Sequence, residues 1–102
     1  MRYAAIDTGS NAVRLLIADV TDNDGTYTFK KNTLIRVPLR LGDDAFLDQE
    51  LSAKKIDDLV KTMTAFRNLM DVYNVSKYLA CATSAAFNPN TLKLFNPIWF
   101  LD

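Results

Sequence analysis

The chain has 102 residues, 49% of them hydrophobic and 24% charged, a composition that folds as one globular domain rather than staying disordered. Twelve basic and twelve acidic residues cancel, so no global field gathers nucleic acid or an anionic membrane. There is no histidine and a single cysteine, Cys81, which excludes His-based triads, the common His/Cys zinc sites and an internal disulfide.

Tyr3 to Ile6 reads as a short buried strand, within bounds of about 2–7. It opens onto Asp7-Thr8-Gly9-Ser10-Asn11, a carboxylate, a glycine and small polar residues at a chain reversal. Turns of this composition are common without a ligand, but the corner also suits an anion. Gly9 lets a ligand approach the backbone, and successive main-chain N–H groups in a tight turn form a concave anion site. Ser10 and Asn11 add side-chain donors, and Arg14 offers a planar cationic fork. Asp7 would repel a phosphate directly, so its role is to hold Mg²⁺ or the waters of that ion.

Val13 to Val20 is nearly continuous in apolar residues and predicts a strand covered on both faces. Asp22-Asn23-Asp24-Gly25 signals a hairpin, with Gly25 free to take positive φ. Thr26 to Val37 makes a third strand, which Pro38 ends at an edge or a bend. After Arg40-Leu41-Gly42 the period changes. Ile56, Leu59, Val60, Met63, Phe66, Leu69, Met70 and Tyr73 recur at three- and four-residue steps, which predicts one long amphipathic helix over about 53–73. Ser52 is its N-cap and Asn74 its left-handed stop. Asp48, Glu50, Asp57 and Asp58 form its solvated, acidic side. Val75 to Thr83 predicts a fourth strand, parallel to an earlier one because a helix connects them. Cys81 within it is expected to be a small buried filler.

Asp-Thr-Gly-Ser also occurs in aspartic proteases, some of them homodimers of chains near this length. Those enzymes are almost all β and carry a glycine-rich flap. This chain spends a fifth of its length on a helix, and its three glycines, Gly9, Gly25 and Gly42, make no flap.

Three blocks in order, Ala5-Ile6-Asp7-Thr8-Gly9-Ser10-Asn11-Ala12-Val13-Arg14-Leu15-Leu16-Ile17, Val37-Pro38-Leu39-Arg40-Leu41-Gly42 and Ala80-Cys81-Ala82-Thr83-Ser84-Ala85, resemble the Ppx/GppA family of exopolyphosphatases and guanosine pentaphosphate phosphohydrolases. The resemblance covers residues 2 to about 85. It implies an α/β fold: a partial actin-like (ribonuclease H-like) half-domain, with a mixed sheet in β-β-β-α-β order. It also implies hydrolysis of terminal phosphate from polyphosphate or guanosine pentaphosphate, with Mg²⁺. In the family the first loop is one side of a phosphate cleft between two lobes. By resemblance, Gly9, Ser10, Asn11, Arg14, Arg40, Thr83 and Ser84 line the phosphate and Asp7 positions the metal, directly or through water. For Arg14 and Arg40, structural ion pairing is the competing role. Ala12 stands where the family often carries a hydroxyl.

After Ala85 the resemblance stops. Residues 86–102 carry two Phe-Asn-Pro triplets and the only tryptophan, Trp99. Their reading is a non-matching aromatic tail, from a frameshifted or prematurely ended reading frame or from a natural short variant, with self-association through its aromatic residues. The family's catalytic glutamate and second phosphate loop are not found in this sequence. The expectation is therefore an inactive N-terminal fragment of a phosphoanhydride hydrolase. A noncatalytic phosphate- or partner-binding half-domain is the alternative, and an aspartic protease the third reading. The lone cysteine and the want of any uncharged apolar run near the roughly 18 residues that span a bilayer point to the cytoplasm.

Overall fold

A computed structural model of the chain describes residues 1–42 and 52–82. The expected strand end at Thr83, the site residues Thr83 and Ser84, the acids Asp48 and Glu50 and the aromatic tail lie outside these. The elements are β1 (Arg2–Thr8), β2 (Val13–Asn23), β3 (Thr26–Val37), α1 (Ala53–Val72) and β4 (Lys77–Ala82). They form a mixed four-stranded sheet in the order β3-β2-β1-β4. β1 and β2 pair antiparallel, as do β2 and β3, and β4 runs parallel to β1, a pairing that needs a long crossover such as α1.

The β2–β3 connection is tighter than the sequence suggested. Asn23 pairs with Thr26, which leaves Asp24 (φ 55°) and Gly25 (φ 90°) as a two-residue loop with both centres left-handed. That geometry matches the right-handed twist of the strands it joins. The Gly25 N–H donates to the Asp22 carboxylate at 2.9 Å. A bulge then interrupts the ladder: Ile17 pairs with Thr33 but Ala18 with Lys31. The extra residue, Asn32, donates to Asp19 at 3.1 Å. One added residue reverses which face each later side chain occupies. Thr33, Ile35 and Val37 thereby turn inward, while Leu34 and Arg36 turn out.

The core lies between the sheet and α1. Ala4, Ile6, Val13, Leu15, Ile17 and Leu41 meet Leu59, Met63, Phe66 and Met70 in one buried cluster. The helical positions follow three- and four-residue steps, as the period required. β2 departs from its expected double coverage. Val13, Leu15 and Ile17 are buried, but the alternate residues Arg14, Leu16 and Ala18 are exposed or half-buried, because α1 covers one side of the sheet only. Cys81 is likewise exposed rather than a buried filler. It is in register with Asp7, on the sheet face away from α1, in a strand at the sheet edge.

Ser52 caps α1 as anticipated, its hydroxyl accepting from the Lys55 N–H at 3.2 Å, and Asn74 ends it at φ 58°. Replacing Ser52 by Ala should cost about 1 kcal/mol in chemical denaturation; an unchanged midpoint would mean the cap is idle. Asp57 and Asp58 face solvent, paired with Lys61 and Lys54 one turn away, and such exposed pairs contribute little. At the other end, Arg2 ties helix to sheet. Its guanidinium donates to the Tyr73 carbonyl and to Asp19, both at 2.9 Å, and lies 5.8 Å from the centre of the Tyr73 ring. Hydrogen bonds from Asn32 first and Arg2 second hold the Asp19 carboxyl below its ordinary range.

Candidate functional site

The β1–β2 reversal and the segment leaving β3 meet at one end of the sheet. The Gly9 N–H donates to the Ala12 carbonyl at 3.0 Å, leaving Ser10 and Asn11 at the tip. Segment 39–42 lies against this loop. The Arg40 N–H donates to the Asn11 carbonyl at 2.9 Å, and the Gly42 N–H to the Ser10 carbonyl at 2.8 Å. Leu41 between them is fully buried in the core. The Lys55 ammonium donates to the Leu39 carbonyl, so α1 holds the segment as well.

These bonds fix the direction of two peptide groups. In a planar trans peptide the carbonyl and the following N–H point opposite ways, and no peptide bond among the described residues is cis. With the Ser10 and Asn11 carbonyls turned toward segment 39–42, the N–H groups of Asn11 and Ala12 face away from it. Neither has an acceptor among the described residues, although Ala12 is buried. Buried main-chain donors are rarely left unmet. Two adjacent N–H groups aimed the same way make an anion-binding concavity.

The expected site residues differ in exposure and in the bonds they make. Ser10 and Asn11 are exposed at the loop tip. The Gly9 N–H is already used inside the turn, so Gly9 contributes space rather than a donor. Its φ is not positive, and an added Cβ would meet only the Ala12 carbonyl oxygen, at 3.4 Å. Nothing among the described residues requires glycine there. Arg40 takes a left-handed conformation, φ 56°, that suits its main-chain bond to the loop.

Asp7 and Arg14 are in register across β1 and β2, as are Arg14 and Arg36 across β2 and β3, and Asp7 and Cys81 across β1 and β4. The row Arg36–Arg14–Asp7–Cys81 thus crosses all four strands on the face away from α1, at the end where the loop sits. Asp7, Arg14 and Arg36 are exposed and form no ion pair among the described residues. Two arginines directly opposite repel each other, and an anion between them would relieve that cost. Arg36 was not identified from the sequence. The signal that finds it is the bulge at Asn32.

Among the described residues no three His, Cys, Asp or Glu side chains gather as a metal cluster. The single carboxylate of Asp7 still fits Mg²⁺, which is commonly held by one or two carboxylates together with phosphate oxygens and water.

The three-stranded meander, crossover helix and parallel β4 define the class: the opening part of an actin-like lobe, its loop at the end of β1. The comparisons with known proteins narrow this further. A Ppx/GppA family member from Aquifex aeolicus superposes with a TM-score of 0.85 at 28% identity, covering 99% of this chain and 33% of its own. An exopolyphosphatase from Cytophaga hutchinsonii gives 0.78 at 26% identity, covering 96% and 30%. A bifunctional 3-dehydroquinate synthase/phosphatase of Fusobacterium nucleatum is 32% identical over 92 residues, 88% of this chain and 14% of that protein. No family profile matches the chain. The chain therefore has the N-terminal part of the Ppx/GppA actin-like fold and spans about a third of those structures. No described helix is long and apolar enough to cross a membrane.

Proposed function

We propose that this chain supplies one phosphate-gripping wall of a phosphoanhydride hydrolase acting, with Mg²⁺, on polyphosphate or guanosine pentaphosphate in the cytoplasm. One observation carries the reading: among the described residues the Asn11 and Ala12 N–H groups stand without acceptors, side by side, at a loop braced from behind. Asp7, Arg14 and Arg36 at the same end supply a cation ligand and two planar forks for phosphate oxygens. The fold shared with an exopolyphosphatase supports the substrate class.

In this reading the loop N–H groups, with the Ser10 hydroxyl and the Asn11 amide, hold the oxygens of a terminal phosphate and fix its orientation. Arg14 and Arg36 neutralise the neighbouring phosphates. Asp7 holds Mg²⁺ or its waters, and that ion supplies charge compensation for the leaving phosphate. Thr83 and Ser84, which follow β4 in sequence, are further phosphate contacts that the family resemblance implies. Phosphoryl transfer also needs donors on the opposite side and a group that orients water. The described residues offer neither.

The test is calorimetric titration of the 102-residue chain with long-chain polyphosphate and Mg²⁺, with phosphate release recorded in parallel. Binding without release is expected, and replacing Arg14 by Ala should weaken it by about tenfold or more, as for a lost hydrogen bond to a charged group. Absence of binding would overturn the reading. Steady phosphate release would overturn its one-wall form.

A further inference from the structure

We infer that Gly42 is a positioning residue for the anion loop: its bare Cα lets segment 39–42 close against Ser10 and hold the Asn11 and Ala12 N–H groups outward. This rests on the reading of that loop as a phosphate site and adds to it the element that sets the loop's geometry. A Cβ built on Gly42 falls 2.9 Å from the Ser10 Cβ, 3.4 Å from the Ser10 carbonyl oxygen and 3.5 Å from the Ser10 Cα. The first of these is closer than two carbon atoms can stand without something moving. Ser10 cannot move alone, because its carbonyl accepts from the Gly42 N–H and the next carbonyl accepts from Arg40. Nor is segment 39–42 free to retreat. Leu41 is fully buried in the core, and the Lys55 ammonium holds Leu39 from the helix.

The demand for glycine is therefore steric and not conformational. Gly42 does not have positive φ, so alanine suits the backbone there. A Gly→Ala change at an unstrained site would by itself tend to stabilise the chain. Any loss on Gly42→Ala comes from the side chain that Ser10 meets. Pushing Ser10 off the segment rotates the Ser10–Asn11 peptide, and with it the first of the two outward N–H groups. Ser10 and Gly42 should thus behave as a coupled pair, and their coupling should be read at Asn11 and Ala12, which neither substitution touches.

The experiment is a double-mutant cycle on the ¹⁵N-labelled 102-residue chain, with Gly42→Ala, Ser10→Gly and both together. Two quantities are followed: the Asn11 and Ala12 amide resonances, and the dissociation constant for inorganic tripolyphosphate with Mg²⁺. Gly42→Ala alone should displace both resonances and raise the dissociation constant about tenfold or more. Added to Ser10→Gly, which removes the Cβ it would strike, the same change should move neither quantity. An equal effect in both backgrounds would overturn the inference, as would undisplaced resonances in Gly42→Ala. Should Gly42→Ala fail to fold, the double variant should fold, and its failure would be equally fatal. If the unaltered chain does not respond to tripolyphosphate, the phosphate reading fails, while the resonances and their dependence on Ser10 still decide the role of Gly42.

Discussion

Replacing Phe66 by Ala should cost about 3–5 kcal/mol of unfolding free energy, read from the urea midpoint of the full chain. Phe66 is 2% exposed and sits among Leu59, Met63 and Met70 on the buried side of α1, facing Ile6, Leu15 and Ile17 of the sheet. Removing its ring deletes a large apolar surface from the centre of that layer. The strands behind it are tied by their ladders and cannot collapse into the cavity. Val72, on the same helix but 73% exposed, provides the control. Its change to Ala should stay within about 0.5 kcal/mol of zero. Comparable losses at both sites would mean that α1 does not pack as described. For a domain with only about 5–15 kcal/mol of stability, the Phe66 change alone removes from roughly a fifth of the margin to all of it.

That contrast was legible in the sequence because the helix declares its inner face through its period. The order of elements was legible for a similar reason: two short reversals make a meander, and a helix before the last strand makes it parallel. Exposure in β2 and β4 was not legible. Apolar runs such as Val13 to Val20 and small ones such as Ala80-Cys81-Ala82 look alike whether one sheet face is covered or two. Only the position of α1 decides that Leu16 and Cys81 lie on the other side. The register of β3 was hidden by a single residue. Counted back from the Asp24-Gly25 turn, Arg14 would oppose Ile35. The bulge at Asn32 shifts its partner to Arg36 and so places a second arginine at the candidate site. Nothing in Lys31-Asn32-Thr33 announces a bulge, since it depends on Asp19 across the ladder accepting from Asn32.

The loop between β1 and β2 was legible from its composition, but the main-chain bonds that shape it were not. The composition showed that Gly9 leaves its backbone bare, but not that its N–H closes the turn on the Ala12 carbonyl. Arg40 was placed near the phosphate for its side chain, whereas the bonds that reach the loop are the main-chain N–H groups of Arg40 and Gly42. Side-chain chemistry can be read from a motif. Which peptide groups point toward a ligand depends on bonds between segments some thirty residues apart.

Joining residues 1–85 to the continuation of a full-length Ppx/GppA relative should give a chain that releases phosphate from polyphosphate. In that chain Asp7→Asn should lower turnover by about 100-fold or more, the scale of losing one preorganised electrostatic group from such a site. The substitution keeps the shape of the side chain and removes its charge. Asp7 is exposed and forms no ion pair among the described residues, so the folding midpoint should stay unchanged and the loss can be assigned to the site. If Asp7 holds Mg²⁺ or its waters, the variant should also need more Mg²⁺ to reach half its maximal rate, whereas loss of a merely structural carboxylate would leave that requirement where it was. Arg14→Ala should differ in kind, because a phosphate ligand used equally in the bound and reacting states raises KM more than it lowers kcat. Full turnover in Asp7→Asn at ordinary Mg²⁺ would remove the carboxylate from the reaction. A joined chain that binds polyphosphate but never releases phosphate would instead assign residues 1–85 to a noncatalytic phosphate-binding wall.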